Sequence, residues 1–401
     1  MKHYLQSTII FFLLIPASIF CQSVSISDAS IAEPADGSSA QIKFDVTLTG
    51  ATDGPFTVDY SSLAISATPS INTIFVGLDN TTVPIFSIDP INDTSNGEIM
   101  GFEAWGMAAD PSTTDRIFFN DGSELYEWII GNPPVLLGDI MFNASTLTVV
   151  GLAHYNGNLY ASRNINDEAI YEINTTTLEA TLFYDYTDGD YDFGGLAVDP
   201  NTGIFYGTND DTDPHGSGVY SIDPVNDQIT LLEPYPAGMT DIDGLAYGNG
   251  KLYLIIDEPG SIYVYDILND TYETPLTSPF TTSEIFASGA AFICNVTEDY
   301  CDERGTLFFS GNDGETQQVC MTVYGDLIDE PDETFSVTLS NIVLGGQIPV
   351  TIGNGEATGT ILGSNLPIPT LSEWGMIILT LIFMVIGAAV IRSHVSEKIS
   401  V

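Results

Sequence analysis

A three-residue pattern recurs five times in the middle of this 401-residue chain and restricts its fold more than any other feature. The copies are Gly106-Met107-Ala108, Gly151-Leu152-Ala153, Gly195-Leu196-Ala197, Gly244-Leu245-Ala246 and Gly289-Ala290-Ala291. Their spacing of 44 to 49 residues is typical of propeller blades or of helical arrays. Between the copies, short β-branched and aromatic runs alternate with Asp-Pro, Asn-Gly and other glycine turns, which favours strands over helices. About four strands per period predict a β-propeller.

The two ends of this repeat array are incomplete in complementary ways. The first unit, from Ile74 to Gly101, has no tripeptide strand before it, whereas the last tripeptide, at Gly289, has no blade after it. We therefore predict five blades in residues 64–292, closed by pairing of strand 289–292 with the blade that begins near Ile74. Six blades with one degenerate unit is the competing count.

Strand-like sequence also marks the segments on either side of the array, residues 22–63 and 293–363. Neither segment has enough strands for a sandwich, but together they have about seven, the usual number of an immunoglobulin-like fold. Insertion of one domain into another is tolerated when the two ends of the insert are adjacent, and closure of the propeller provides that adjacency. The predicted fold is therefore all-β, an immunoglobulin-like sandwich split by an inserted β-propeller.

The two flanking segments carry several recognisable short motifs. These are Thr57-Val58-Asp59-Tyr60, Glu298-Asp299-Tyr300 and, as the strongest signature, the string from Gly325 to Val337. The motifs resemble the Calx-β domain, a seven-stranded sandwich found in sodium/calcium exchangers, integrin β4 and many bacterial surface proteins. The resemblance implies a calcium site at one end of the sandwich. The matching carboxylates are Glu33, Asp59, Asp299, Asp326 and Glu330.

The match to the calcium-binding pattern is incomplete. A run of three aspartates in the well-known binders is Gly325-Asp326-Leu327 here, and the propeller replaces the acidic loop that would follow Asp59. Calcium prefers six to eight oxygen ligands, and its affinity depends on how many of them are charged. The competing interpretation is that residues 332–335 simply form a turn and the start of a strand.

Acidic side chains also recur just before the inner strands of the predicted propeller. The residue three positions before the tripeptide glycine is acidic in three of the five units, as Glu103, Asp192 and Asp241. Inner strands line the central channel of a propeller, so these carboxylates predict a cation at the channel mouth. The alternative is that they are solvated residues at strand starts. The polar loop 210–215 is either a further place for a metal or another solvated loop.

Both ends of the chain have the patterns of targeting segments. Residues 1–21, a cationic start followed by an apolar run, have the pattern of a secretory signal peptide. The run from Trp374 to Ile391 is uncharged and long enough for a membrane helix, which we predict over 374–392. The cations that follow it place the tail 393–401 in the cytoplasm.

The linker 364–373 before this predicted helix contains a short motif. It consists of Ile368, Pro369, Thr370 and Leu371, with Trp374 shortly after. Together with the apolar helix and the basic end, the motif resembles the IPTL-CTERM tail, a C-terminal signal of bacterial surface proteins. The resemblance implies a sorting or processing enzyme as a partner in the membrane. A protein anchored in the cell envelope and one released after processing are both compatible with it.

The charge of the chain narrows the choice of ligands. The sequence has 54 Asp and Glu against 8 Lys and Arg, a formal net charge of −46, and Glu397 is the only acidic residue outside 22–373. So few cations cannot neutralise many phosphates, which excludes nucleic acids and anionic membrane surfaces as ligands. Cations are the partners that this exported, acidic body is expected to attract.

Catalytic motifs are missing from the exported part. Its two histidines, His154 and His215, belong to no zinc motif, and there is no nucleophile elbow or phosphate-binding glycine loop. We therefore expect a binding or adhesion protein rather than an enzyme, with a surface protein or glycan as ligand and Ca²⁺ as cofactor. A secreted metal-dependent propeller enzyme similar to lactonases is the alternative.

Three cysteines, Cys294, Cys301 and Cys320, cluster where the propeller joins the second half of the sandwich. An oxidising compartment favours a local disulfide, with Cys294 to Cys301 slightly preferred. Three cysteines leave one unpaired, so the sequence alone leaves the connectivity open.

Overall fold

The computed structural model describes residues 22–363, without 36–37, 112, 114, 165–167, 187–190, 257–258, 284–286, 296–297, 327 and 329, and also residues 377–378 and 380–386. This part of the chain is nearly all β. In chain order the strands are β1 (Gln22–Ile26), β2 (Ala29–Ala32), β3 (Ser39–Thr49), β4 (Phe56–Ala64), β5 (Ile71–Leu78), β6 (Ile85–Asp89), β7 (Thr94–Ile99), β8 (Gly106–Ala109), β9 (Arg116–Asn120), β10 (Glu124–Ile129), β11 (Val135–Asp139), β12 (Met141–Phe142), β13 (Ser145–Thr146), β14 (Leu152–Tyr155), β15 (Asn158–Arg163), β16 (Ala169–Ile173), β17 (Ala180–Asp185), β18 (Phe193–Val198), β19 (Phe205–Asn209), β20 (Gly218–Asp223), β21 (Gln228–Pro234), β22 (Gly244–Gly248), β23 (Lys251–Ile255), β24 (Ser261–Asp266), β25 (Thr271–Tyr272), β26 (Leu276–Thr277), β27 (Ser288–Asn295), β28 (Arg304–Phe309), β29 (Thr316–Tyr324), β30 (Glu333–Leu344), β31 (Val350–Ile352) and β32 (Glu356–Leu362).

Strands from the two flanks form a two-sheet sandwich. One sheet has the order β29-β3-β1-β31 and the other the order β2-β32-β30-β4-β28. Strand β3, before the propeller, pairs with β29, after it, and β4 pairs with both β28 and β30. The two flanks therefore form one body around one core, with more strands than the seven predicted from the sequence.

The core of the sandwich follows from the period-two pattern of its strands. Along β3, the side chains of Ile42, Phe44, Val46 and Leu48 are buried, while the residues between them, such as Lys43, face outward. Alternation of this kind places one face of a strand against the opposite sheet. The shared core also includes Val24, Val58, Tyr60, Tyr300, Phe309, Val319, Phe335 and Val337.

The middle of the chain forms five sheets in a closed ring. In chain order they are blade 1 (β27-β5-β6-β7), blade 2 (β8 to β11), blade 3 (β14 to β17), blade 4 (β18 to β21) and blade 5 (β22 to β25, with β26 on β24). The inner strands contact one another in the cyclic order β8, β14, β18, β22, β27 and back to β8. A ring of radially repeated four-stranded sheets is a β-propeller.

Strand β27 closes this ring. It pairs antiparallel with β5, from Ser288 opposite Leu78 to Asn295 opposite Ile71. The closure that the unpaired last tripeptide predicted is confirmed, and it brings the entry and exit of the propeller together. The strand continues three residues past the predicted boundary at 292, because its pairing with β5 extends that far.

The glycines of the repeat have a packing reason. A Cβ added to Gly106 would lie 2.0 Å from the Val150 carbonyl oxygen, and one added to Gly151 would lie 2.5 Å from that of Gly194. The inner strand of the next blade thus passes too close for any larger residue. Gly106, Gly151 and Gly195 also donate their backbone N–H to a buried side chain on the neighbouring strand, as Gly106 does to Asn120 Oδ1 at 2.8 Å.

The sandwich rests on one face of the propeller through polar contacts. Arg304 Nη2 lies 2.7 Å from Asp266 Oδ2, and Arg304 Nε donates to the Asn249 carbonyl at 2.8 Å. Asn201 Nδ2 donates to the Tyr60 hydroxyl oxygen at 2.8 Å. These contacts come from blades 4 and 5, so that side of the ring is fixed to the sandwich.

Near this junction, a disulfide joins Cys294 at the end of β27 to Cys301, and Cys320 on β29 is a free thiol. The pairing is the one that the sequence slightly favoured. It ties the last strand of the propeller to the chain that re-enters the sandwich.

Several predicted segments lie outside the described residues. They are the signal peptide 1–21, the motif residues Ile368, Pro369, Thr370, Leu371 and Trp374, and the tail 393–401. Within the predicted membrane segment, residues 377–378 and 380–386 are helical. Among the described residues, no helix combines the length and the apolarity needed to cross a membrane.

Candidate metal centres

An acidic cluster lies at the end of the sandwich where β30 begins. Asp299, Glu330 and Glu333 each place a carboxylate oxygen within 4.8 Å of the other two. Asp299 is held on both sides, because its Oδ2 accepts from Thr68 N at 2.6 Å and its carbonyl accepts from Tyr324 N. We call these three residues the sandwich cluster.

Two further predicted residues border the sandwich cluster. The backbone N–H of Asp326 donates to Glu33 Oε1 at 3.3 Å, and both carboxylates act electrostatically on Glu330. Burial, followed by the negative charges of Asp299, Asp326 and Glu33, raises the pKa of Glu330. Four of the five carboxylates implied by the Calx-β resemblance therefore gather at one end of the sandwich.

Glu333 is a member of the sandwich cluster that the sequence analysis missed. The competing interpretation gives residues 332–335 only a structural role, and Glu333 is indeed the first residue of β30. Burial raises its pKa to about 8, with a hydrogen bond and charge repulsion from Asp299 as the next causes. Its position three residues after Glu330, at the start of a strand, was the available signal.

Asp59 was predicted as a calcium ligand, but the structure places it away from the sandwich cluster. The register of β4 against β30 places it opposite Ser340, whereas the cluster end of β4 is Ala64, opposite Phe335. Five residues along a strand span roughly 16 Å. The Asp59 carboxylate instead accepts from Thr306 Oγ1 and Asn341 Nδ2, both at 2.8 Å, so it links three strands of one sheet.

The three acids predicted at the propeller mouth do not form one group. They start the inner strands of different blades, namely blade 2 for Glu103, blade 4 for Asp192 and blade 5 for Asp241. Glu103 Oε2 accepts from Trp105 Nε1 at 3.2 Å within its own segment. In the described part of the chain, Glu103 belongs to no group of three carboxylates that converge within 4.8 Å, whereas Asp192 and Asp241 influence each other electrostatically.

Asp241 belongs instead to a second cluster at the seam between blades 4 and 5. Asp210, Asp241 and Asp243 each place a carboxylate oxygen within 4.8 Å of the other two. Asp210 Oδ1 accepts from Ile242 N at 3.2 Å, which ties the end of β19 to the segment before β22. Burial raises the pKa of Asp210 to about 9, and the charge of Asp243 adds to this. We call these three residues the seam cluster.

A cleft of about 790 Å³ lies between the sandwich and the loops of blades 4 and 5 that face it. Its walls include Thr306 and Phe308 on β28, the edge strand of its sheet, and Asn201 and Val225 on the propeller. Phe308 and Val225 are 52% and 91% exposed. A concave surface of this volume, with apolar residues and a few polar groups, has the size of a ligand-binding site.

The chain therefore combines a β-propeller with a β-sandwich that carries convergent carboxylates. Residues 367–390 match the IPTL-CTERM motif. This tail indicates an exported bacterial protein that is sorted to the cell surface. None of the curated proteins compared with the chain matches it.

Several solved structures are similar to the chain at low identity. A chain of the nidogen/laminin complex is 10% identical with a TM-score of 0.41, covering 56% of this chain and 99% of that one. An auxiliary nutrient binding protein from Bacteroides thetaiotaomicron is 12% identical with a TM-score of 0.32, covering 64% and 70%. Glutaminyl cyclase from Myxococcus xanthus is 14% identical with a TM-score of 0.28, covering 47% and 69%.

Proposed function

We propose that this protein is a cell-surface binding or adhesion protein whose sandwich is a Calx-β domain that binds Ca²⁺ at the sandwich cluster. The observation that carries the proposal is the convergence of Asp299, Glu330 and Glu333 within 4.8 Å at one end of the sandwich. Glu33 and Asp326, beside them, supply further carboxylates.

The donor chemistry of the sandwich cluster suits calcium. Ca²⁺ takes six to eight oxygen ligands at 2.3–2.6 Å, and carboxylates are its usual charged ligands in proteins. Without a cation, these carboxylates repel one another, which contributes to the raised pKa of Glu333. A divalent cation would remove this repulsion and link β30 to the loops that carry Asp299 and Asp326.

The cleft between the sandwich and the propeller is the surface we propose for a protein or glycan ligand. It is concave and combines exposed Phe308 and Val225 with polar groups such as Asn201 and Thr306. Because its walls come from both bodies, a ligand there would contact the sandwich and the propeller at once.

At the C-terminus, we propose that residues 374–392 form a membrane helix and that the IPTL motif is read by a sorting or processing enzyme. The motif match over 367–390 supports this assignment. Membrane extraction of cells, compared with analysis of the culture medium, would distinguish an anchored protein from a released one. Appearance of the intact tail in the medium would contradict both.

We further propose that the protein acts without catalysis. A propeller hydrolase remains the alternative because the seam cluster brings three carboxylates together on the propeller. A turnover screen with lactones and phosphoesters tests this. Metal-dependent turnover that disappears in Asp241→Asn would establish an enzyme, while no turnover with any substrate would support the binding role.

Calcium titration of the full-length protein by calorimetry, with metal counted by equilibrium dialysis, tests the sandwich cluster. We expect Glu330→Gln and Glu333→Gln each to weaken one bound Ca²⁺ at least tenfold, because each removes a charged ligand. Asp59→Asn is the matched control, since Asp59 was implied by the resemblance but lies outside the cluster. Calcium binding unchanged in both glutamate variants would overturn the proposal.

A further inference from the structure

The seam cluster lies on the side of the propeller that faces away from the sandwich. Asp241 and Asp243 precede β22, whose other end leads to Asn249, and the Asn249 carbonyl accepts a hydrogen bond from Arg304 of the sandwich. The length of β22 therefore separates the seam cluster from the interdomain junction. It is also distinct from the sandwich cluster in both sequence and position.

We propose that the seam cluster is a second cation site, which binds a hard divalent cation such as Ca²⁺ through Asp210, Asp241 and Asp243. The three carboxylate oxygens lie within 4.8 Å of one another. One ion with ligand distances of 2.3–2.6 Å can contact oxygens that far apart. All donors are oxygens, which favours calcium, magnesium or manganese over zinc or copper.

A second observation at this site also points to a ligand. Tyr235, which follows β21, is only 8% exposed, and its hydroxyl has no hydrogen-bond partner among the described residues. The hydroxyl lies beside the Asp210 carboxylate and the Thr208 side chain. Buried hydroxyls normally have partners, so an unpartnered one beside carboxylates marks room for a bound species.

Asp192, on the side of blade 4, is a further acidic residue beside the seam cluster. Its Oδ1 is a buried atom without a hydrogen-bond partner among the described residues, and its charge interacts with that of Asp241. Its backbone N–H donates to Asn209 Oδ1 at 2.8 Å, one residue before Asp210. Asp192 is thus held beside the seam cluster as a further anionic group.

The position of Asp243 is set by backbone packing. A Cβ added to Gly194 would lie 2.2 Å from Asp243 Oδ1, so the carboxylate rests directly against the inner strand of blade 4. Asp243 is buried, whereas Asp241 is exposed. The site therefore has one ligand, Asp243, that is fixed in the interior. Asp241 is a second ligand at the surface, where an ion can enter.

Calcium binding to the full-length protein, measured by equilibrium dialysis and calorimetry with Ca²⁺ alone, tests this inference. Asp241→Asn is the main variant, because its side chain is exposed and the change preserves its shape. We expect one calcium to bind at least tenfold more weakly, with the melting temperature in chelator unchanged. Gly194→Ala, which displaces Asp243, should weaken the same calcium.

The matched control is Glu330→Gln, which alters the sandwich cluster alone. If it weakens a different calcium from Asp241→Asn, and the double variant loses both, the two sites are independent as proposed. A calcium that is lost in Asp241→Asn but kept in Glu330→Gln supports the seam site even where the sandwich site fails. Binding by Asp241→Asn that matches the unaltered protein in stoichiometry and affinity would overturn the inference.

Discussion

The sandwich and the propeller are both built from β-strands, but their strands pair in different ways. In the propeller, blades 2 to 5 are each built from strands that follow one another along the chain. In the sandwich, strands before the insert pair with strands after it, as β3 does with β29. Non-local pairing carries a larger loop-closure cost than local pairing. The sandwich therefore depends on the propeller to bring its two halves together.

Strand β27 connects the propeller to the sandwich. This strand completes blade 1 by pairing with β5. Near its end, the Cys294–Cys301 disulfide links it to the segment that re-enters the sandwich. A substitution that disrupts β27 should therefore destabilise both the propeller and the sandwich. A substitution in an outer propeller strand should destabilise only its own blade.

The first prediction concerns Gly289→Val in β27. A Cβ at Gly289 would lie 2.8 Å from Met107 Cγ and 3.0 Å from the Ala104 carbonyl oxygen, and both neighbours are buried. Valine would push β27 away from blade 2, and we expect a loss of about 3 kcal/mol or more in the free energy of unfolding. Urea denaturation followed by fluorescence of Trp105 and Trp128 reports the propeller, and labelling of Cys320, mapped by mass spectrometry, reports the sandwich.

Gly97→Val is the matched control, because Gly97 lies on the exposed outer strand β7 and its nearest neighbour is Pro84 Cβ at 3.4 Å. We expect a change within about 0.5 kcal/mol there. In Gly289→Val, both reporters should shift to lower urea together. A shift of tryptophan fluorescence with unchanged protection of Cys320 would show that the sandwich does not depend on closure.

The second prediction concerns the ion pair across the junction. Asp266 is 1% exposed and its partner Arg304 approaches to 2.7 Å. Arg304→Met would leave a buried carboxylate without its cation, at an expected cost of about 2–3 kcal/mol at pH 7. Lys251→Met is the control, because the Lys251–Glu273 pair is more exposed and should be worth less than about 1 kcal/mol.

The pH dependence of this effect has a definite sign. Burial alone would raise the pKa of Asp266, but hydrogen bonds from Arg304 and Asn269 bring it below the usual 3.8. A lowered folded-state pKa gives stability that is present above the unfolded-state value and lost as the pH falls through the folded-state value. The difference between Arg304→Met and the unaltered protein should therefore shrink below about pH 4. A difference that is constant from pH 7 to pH 3 would contradict this account.

The fold could be anticipated from the sequence wherever the pattern is repeated. The repeated glycine is visible because the next inner strand leaves no room for a Cβ, as at Gly106. The closure by β27 followed from an unpaired strand at one end of the array and a missing strand at the other. The contacts behind both features join residues far apart in the chain, Gly106 with Val150 and Ser288 with Leu78, but the regular period of the repeat makes them visible in the spacing.

The candidate sites were less predictable because they depend on long-range register. Asp59 carries the right motif, but pairing of β4 with β30 places it opposite Ser340 and far from the cluster. Asp210 and Asp243 come from adjacent blades and meet only through the seam, which no spacing rule encodes. Asp299 and Glu330 were among the positions that the resemblance implied, whereas Glu333 joins them only through the start of β30.

The smallest expected effect concerns Glu303, between the sandwich and blade 4. Burial raises its pKa to about 8, followed by the negative charges of Asp199 and Asp302, and its Oε2 has no hydrogen-bond partner among the described residues. An acid with a raised folded-state pKa loses stability as the pH rises from its unfolded-state value, 4.5, to its folded-state value. Ionisation of Glu303 should therefore weaken the junction between about pH 4.5 and pH 8.

Glu303→Gln removes this ionisation while keeping the size of the side chain. Because part of the residue reaches solvent, screening limits the gain, and we expect the variant to be more stable by about 1–2 kcal/mol at pH 8. At pH 5 the two proteins should agree within about 0.5 kcal/mol. Glu356→Gln, on an exposed position of the sandwich, is the control and should show no such trend. Urea denaturation at both pH values measures the difference, and an equal effect of Glu303→Gln at pH 5 and pH 8 would mean that Glu303 does not titrate at the junction.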